Sequence, residues 1–314
     1  MTSAAGPRVL VIAGPTATGK SALALRAAEA LNGVIVNADS IQCYRDLPIL
    51  TARPTPQDEA TAPHRLTGFL GPEDKLSAAQ WAAQAAAEIA AIAGAGRLPM
   101  VVGGTGFYLK ALMEGLSDIP AVPDEIRTET QTLIGDIGAP ELHRRLAVRD
   151  PATAAKLKPG DSQRIARAWE VLEATDTPIS VWQSQPGTPA LAADYQTVLV
   201  QPDRDTLYAA CDRRFLAMLQ AGALDEVKAL LASGVSPTAP VFRALGAAEL
   251  AQTARGELAL AQATTLAQAA TRQYAKRQST WFRHQFHANS TIETKFLESL
   301  WDEFFPEIRR LLLT

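Results

Sequence analysis

Residues 14–21 read GPTATGKS, which fits the spacing G-x-x-x-x-G-K-[ST]. The chemistry explains the spacing. Gly14 and Gly19 let the backbone curl around Pro15, Thr16, Ala17 and Thr18, so that N–H groups point at phosphate oxygens. Lys20 adds a positive charge, the start of the following helix adds positive potential, and the Ser21 hydroxyl can ligate Mg²⁺. A turn without ligand is the plain alternative. The loop does not choose its diphosphate; a nucleoside triphosphate is the commonest occupant, which makes a small-molecule kinase or ATPase the first class to weigh.

Further reactive groups lie in two other loops. Asp39 follows the run GVIVN, and Thr105 follows Gly103 and Gly104 after LPMVV. Between Thr271 and His287 the basic residues Arg272, Lys276, Arg277 and Arg283 occur without an acid, interleaved with Tyr274, Trp281 and Phe282. That is either a phosphate-binding strip or a helix with core aromatics and solvated charges. Cys43 and Cys211 stand far apart with no C-x-x-C spacing, so neither a zinc site nor a disulfide framework is expected, and a reducing cytoplasm is the simple reading. His284 and His287 have no evident partner ligands.

The elements that must position these groups follow from periodicity. RVLVIA (8–13), GVIVNADS (33–40) and LPMVVGGTG (98–106) read as strands ending in the loops above, with helices over 21–31 and 77–93 between them. Strands alternating with helices imply a parallel sheet whose ligands gather at the carboxyl ends of the strands. From Leu116 the pattern becomes helical segments broken by prolines, and the strand 196–201 returns the chain to the sheet. Long helices are then expected over 204–231 and 258–281. The expected fold class is α/β, with 1–115 and 196–314 as the core and 116–195 as a helical insertion.

The 314 residues, 47% hydrophobic and 20% charged, have ordinary globular composition, with length for about two domains. A net charge of −3 gives no global cationic field, so a nucleic-acid partner must be held by local basic surface. No segment is apolar for the length of a membrane span, and a soluble protein without membrane partners is expected.

Together with the phosphate loop, DSIQCY (39–44), TARP (51–54), PHRL (63–66), VGGTGFYLKAL (102–112), DSQRIARAWEVLE (161–173) and TRQYAKRQSTWFR (271–283) resemble the tRNA dimethylallyltransferase family. The blocks come in the family's order and span nearly the whole chain. Two departures stand out: Ala210 where the family often has an arginine one turn before the one matched by Arg214, and Gly246, Ala247 and Ala248 where Gly-Tyr and a basic residue are usual.

The resemblance implies a P-loop NTPase-like sheet flanked by helices, and a monomer. It implies transfer of a dimethylallyl group from dimethylallyl diphosphate to the exocyclic amine of the adenosine on the 3′ side of the anticodon, giving isopentenyladenosine. The tRNAs would be those reading codons that begin with U. The phosphate loop would hold the donor, with Mg²⁺ on Ser21, and Lys20 and Arg214 would neutralise the leaving diphosphate. Asp39 would accept the amine's proton, or else serve as a Mg²⁺ or supporting carboxylate; Thr105 would reach the bridging oxygen or the amine, or else be a turn residue. Asp39, Ser40, Ile41, Gln42, Thr105 and Arg127 match tRNA-contacting positions, as do Gln163, Arg164, Ile165, Ala166 and Arg167 at the anticodon loop. Arg272, Lys276 and Arg277 belong to the basic strip. Stacked bases cannot enter a deep site, so base flipping is expected. An adenylate prenyltransferase is the near alternative, and the insertion and basic strip favour a macromolecular acceptor.

Overall fold

A computed structural model describes residues 6–313. Strands β1 (Arg8–Ala13), β2 (Gly33–Asn37), β3 (His64–Arg65), β4 (Leu98–Gly103), β5 (Asp194–Val200) and β6 (Ser290–Ile292) form one sheet in the order β3-β2-β4-β1-β5-β6. Every neighbouring pair is parallel. Apolar β-branched runs suit a sheet covered on both faces, and Val9 to Ala13 are fully buried. Ala13 pairs with Gly103 and Asn37 with Val102, so the loops leaving β1, β2 and β4 emerge side by side.

Helix α1 (Lys20–Leu31) turns Leu23, Ala24, Ala27 and Ala28 onto Leu10, Ile12, Met100 and Val102 of the sheet. Helix α2 (Ala78–Gly94) starts in a capping box, with the Ser77 hydroxyl accepting from the Gln80 N–H and the Gln80 side chain accepting from the Ser77 N–H. Its Trp81 is fully buried, stacks on Tyr108 of α3 (Gly106–Met113) with centroids 4.5 Å apart, and donates its indole N–H to the Asn37 carbonyl at 3.0 Å. One side chain thus ties two helices to the end of β2.

Contacts divide the chain into two compact units, one comprising Met1–Met113 and Ala190–Thr314, the other Glu114–Pro189. In the second, α4 (Asp124–Ile137), α5 (Ala139–Arg149) and α6 (Ser162–Thr175) close over Val122, Leu146, Ala168, Val171 and Leu172. In the first, the chain continues through α7 (Arg204–Gln220), α8 (Ala223–Ala232), α9 (Leu260–Gln285) and α10 (Trp301–Leu313). The single helix expected over 204–231 is two, because Gly222 takes the left-handed conformation at φ 104° and starts a new helix. Strands β3 and β6, of two and three residues, are too short to announce themselves by periodicity.

Trp81→Ala should cost about 3–5 kcal/mol, as expected for truncating a buried aromatic, and Trp81→Phe clearly less. Urea unfolding measures both; an alanine variant as stable as the parent would show that the Trp81 contacts contribute nothing.

Candidate active site

The phosphate loop is built as its glycines demand. Gly19 sits at φ 91°, and a Cβ there would come within 2.4 Å of the Phe296 carbonyl oxygen; one on Gly14 would meet the Val200 carbonyl oxygen at the same distance. Ala17, at φ 64°, holds the left-handed conformation with a side chain, a local strain typical of ligand loops. Lys20 is 8% exposed, and its ammonium donates to the Pro15 carbonyl at 3.1 Å. Desolvation pulls its pKa down to about 8; Asp39 opposes the shift and Arg214 reinforces it.

Arg214 comes from α7, and its Nη1 donates to the Thr16 hydroxyl at 2.9 Å. Burial lowers its pKa as well, with Asp39 acting in the opposite direction. Thus two cations are held in a poorly solvated loop with one carboxylate near both. Such an arrangement favours an added polyanion.

Asp39 is positioned by a rigid turn. The Asn37 side chain donates to the carbonyls of Asp39 and Leu66, each at 2.9 Å, and accepts from the Asp39 N–H at 2.9 Å. The Asp39 carboxylate accepts from the Ile41 N–H at 3.1 Å. Thr105 is fixed to the same turn: its N–H donates to the Ala38 carbonyl at 3.1 Å, and its hydroxyl accepts from the Ser40 N–H at 3.0 Å. Gly103 permits this approach, since a Cβ there would lie 2.2 Å from the Ala38 backbone. Lys20, Ser21, Asp39, Gln42, Arg53 and His64 help line a cleft of about 70 Å³. The Gln42 side chain donates to the Thr51 and Ala52 carbonyls at 3.2 and 3.0 Å, shaping the cleft wall.

Buried thiols add nothing reactive. Burial pushes Cys43 up to about 12 and Cys211 up to about 11, so both remain thiols at neutral pH.

In α9, Arg272 is half-buried and paired with Asp212 of α7 at 2.5 Å, so an acid from another helix reaches into the basic strip. Lys276 and Arg277 are exposed. Lys276 lines a second cleft, of about 210 Å³, with Arg204, Tyr208 and Arg283. Two α9 residues that the basic pattern drew attention away from lie at the site. The Tyr274 hydroxyl meets the Thr105 side chain, and its pKa is raised, chiefly by burial and then by Asp39. Gln278, 6% exposed, accepts from the Thr16 N–H and donates to the Gly104 carbonyl. Its only sequence signal is a spacing of four from Tyr274, which puts both on one helical face.

In the second unit, Gln163 and Arg164 are exposed on α6. Arg167 lies 3.9 Å from Glu170, and both it and Arg127 of α4 act on the Glu170 carboxyl, so two expected contact arginines are neighbours. Ile165 and Ala166 offer no exposed side chain for such a contact. Their side chains are 0% and 3% exposed, among the buried residues of the helix together with Ala168, Val171 and Leu172.

A family model described as IPP transferase matches residues 42–285, and one described as isopentenyl transferase matches 7–66. The chain belongs to the IPP transferase family. Within the family, it is 56% identical to the tRNA dimethylallyltransferase of Rhodospirillum centenum, covering 89% of this chain and 90% of that relative. It is 51% identical to the one from Paramagnetospirillum magneticum, over 100% and 99%. Among solved structures, the tRNA isopentenylpyrophosphate transferase of Bacillus halodurans has a TM-score of 0.69 at 30% identity, covering 97% of this chain and 96% of that one. A eukaryotic dimethylallyltransferase acting on tRNA has a TM-score of 0.80 at 25% identity, covering 96% and 77%.

The buried ammonium generates a pH prediction. The unfolded chain binds the extra proton between about pH 8 and 10.5, so the cost of burying charged Lys20 is complete below pH 8 and fades as pH rises. Lys20→Met should therefore stabilise the unliganded protein by up to about 3 kcal/mol at pH 7, with most of that gain gone at pH 10. Urea titrations at the two pH values check this, and an equal gain at both would refute it.

Proposed function

We propose that this family member transfers a dimethylallyl group from dimethylallyl diphosphate to the exocyclic amine of the adenosine 3′-adjacent to the anticodon, in tRNAs reading codons that begin with U. The observation that carries the reading is the meeting of three loops: a phosphate loop with two buried cations beside a carboxylate and a hydroxyl held in a turn. A kinase also uses such a loop and a nearby carboxylate, so it is the family match alongside this geometry that favours amine prenylation.

In this reading the diphosphate sits in residues 14–21, with its oxygens facing Lys20 and Arg214. The amine nitrogen attacks C1 of the allylic donor, the C–N bond forms as the C–O bond breaks, and the electron pair leaves on the diphosphate. The two cations, partly desolvated by burial, stabilise that charge with little solvent reorganisation. Asp39 accepts the amine's proton, and Thr105 orients the amine or the bridging oxygen. Among the described residues no three His, Cys, Asp or Glu side chains cluster as a metal site. That sparse set suits Mg²⁺, which keeps its waters and takes phosphate oxygens, with Ser21 as the protein residue to hold it. When bound, it supplies further neutralisation of the diphosphate.

The exposed Arg164, with Arg167 and Arg127, supplies the local charge that an acidic chain needs to hold the anticodon stem-loop, and the exposed Gln163 adds a neutral amide beside it. No helix among the described residues is long and apolar enough to cross a membrane.

The test is label transfer from dimethylallyl diphosphate with Mg²⁺ into unmodified tRNA, run beside AMP as acceptor and beside ATP hydrolysis. Label is expected in tRNA alone; label in AMP, or ATP turnover without transfer, would replace the reading. Asp39→Ala should lower kcat by about 10²–10⁴-fold with tRNA affinity nearly unchanged, and full turnover would remove Asp39 as the base.

Changing Arg164 and Arg167 together to alanine should weaken tRNA binding and flatten the log Kd against log salt slope by roughly 1.5. An unchanged slope would place the RNA elsewhere.

A further inference from the structure

The Gln278 side chain lies between two loops that carry different parts of the chemistry. Its Oε1 accepts from the Thr16 N–H at 2.9 Å, and its Nε2 donates to the Gly104 carbonyl at 2.8 Å. The amide orientation is forced, because a backbone N–H can only donate and a carbonyl can only accept. The partners lie 262 and 174 residues away in sequence. Thr16 in turn accepts from Arg214 through its hydroxyl at 2.9 Å. Gly104 precedes Thr105 directly, and a Cβ on it would fall 2.5 Å from Gln278 Nε2, so the glycine keeps the carbonyl within the amide's reach.

The rest of α9 steadies this contact. Tyr274, one turn earlier, meets the Thr105 side chain, and Trp281 packs so closely that a Cβ on Gly106 would lie 2.2 Å from its ring. The Arg272–Asp212 pair fastens α9 to α7, which carries Arg214.

We infer that Gln278 is a positioning residue: its amide sets the distance between the phosphate loop and the Thr105 loop, and with it the alignment of leaving diphosphate and attacking amine. The inference rests on the prenyl-transfer reading for its catalytic consequence. Its geometric content, a phosphate loop held in shape from α9, stands apart from which donor is bound. Gln278 fits the task because one group must donate and the other accept across a fixed span. Asparagine is a methylene too short, methionine fills the space with no polar atom, and an ionised glutamate accepts but cannot donate.

Three variants and two readouts test it. In folded Gln278→Met, kcat for transfer should fall about ten- to a hundred-fold, the scale of a small misalignment of reacting groups, with tRNA affinity unchanged. Inorganic pyrophosphate, titrated calorimetrically, should bind several-fold more weakly to it. Gln278→Asn should be impaired like the methionine variant. Gln278→Glu regains a donor when its carboxyl is protonated, so its rate relative to the parent should rise as pH is lowered.

Wild-type kcat and pyrophosphate affinity in folded Gln278→Met would overturn the inference. So would a loss confined to tRNA affinity, which would make Gln278 an RNA contact, or a flat pH ratio for Gln278→Glu. If the methionine variant does not fold, the glutamate ratio decides. If the parent transfers no prenyl group, the proposed activity fails, and the pyrophosphate titration still decides whether Gln278 shapes the loop.

Discussion

Two partly desolvated positive charges organise the phosphate loop. Lys20 is buried at the mouth of α1 and Arg214 reaches the same loop from α7, and each has its charged form disfavoured by desolvation. Like charges so placed are unstable partners without an anion between them. The site therefore favours a polyanionic ligand, which would relieve its electrostatic strain. Stability given up by burying these charges can be recovered on binding an anion.

That constraint explains the rigidity of the neighbouring turns. A carboxylate close to two cations would be drawn into direct ion pairing if its loop were free. Asn37 prevents this by satisfying the backbone on both sides of Asp39, while Trp81 anchors the Asn37 carbonyl from beneath. Thr105 closes the arrangement through Ala38 and Ser40. Polar side chains here hold mainly backbone groups, which is how a short loop can be made as stiff as a strand.

Of the residues that depart from the family pattern, Ala210 and Ala247 fall on packing positions, whereas Ala248, where a basic residue is usual, is exposed. Ala210 is 3% exposed and Ala247 is fully buried, so both are small residues on inner helix faces rather than missing surface contacts. A Cβ on neighbouring Gly246 would come within 2.5 Å of the Phe215 ring, one residue from Arg214, which makes close packing in this region part of how the guanidinium is supported. In the second unit the same economy appears in α6, where one face builds the core through Ile165 and Ala166 and the other presents Gln163 and Arg164.

The sequence by itself determined the phosphate loop, the parallel strands feeding Asp39 and Thr105, and the family. These are local: eight contiguous residues encode the loop's backbone, and β-branched runs next to glycines encode a buried strand and its end. Tertiary structure decided the rest. The contact of Arg214 with Thr16 spans 198 residues, and only the resemblance, not the local residues, sets that arginine apart from Arg213 beside it. The basic strip on α9 reads either as a phosphate-binding strip or as solvated charges over core aromatics, yet Arg272 is paired with Asp212, and Gln278, the least conspicuous residue in the block, lies at the junction of the phosphate loop and the Thr105 loop. Likewise Ile165 and Ala166 sit within a contacting motif, but their side chains belong to the core. A polar residue's role depends on the partner it meets, and a helix face acquires its meaning only from what packs against it; both are set by contacts between residues far apart in the chain.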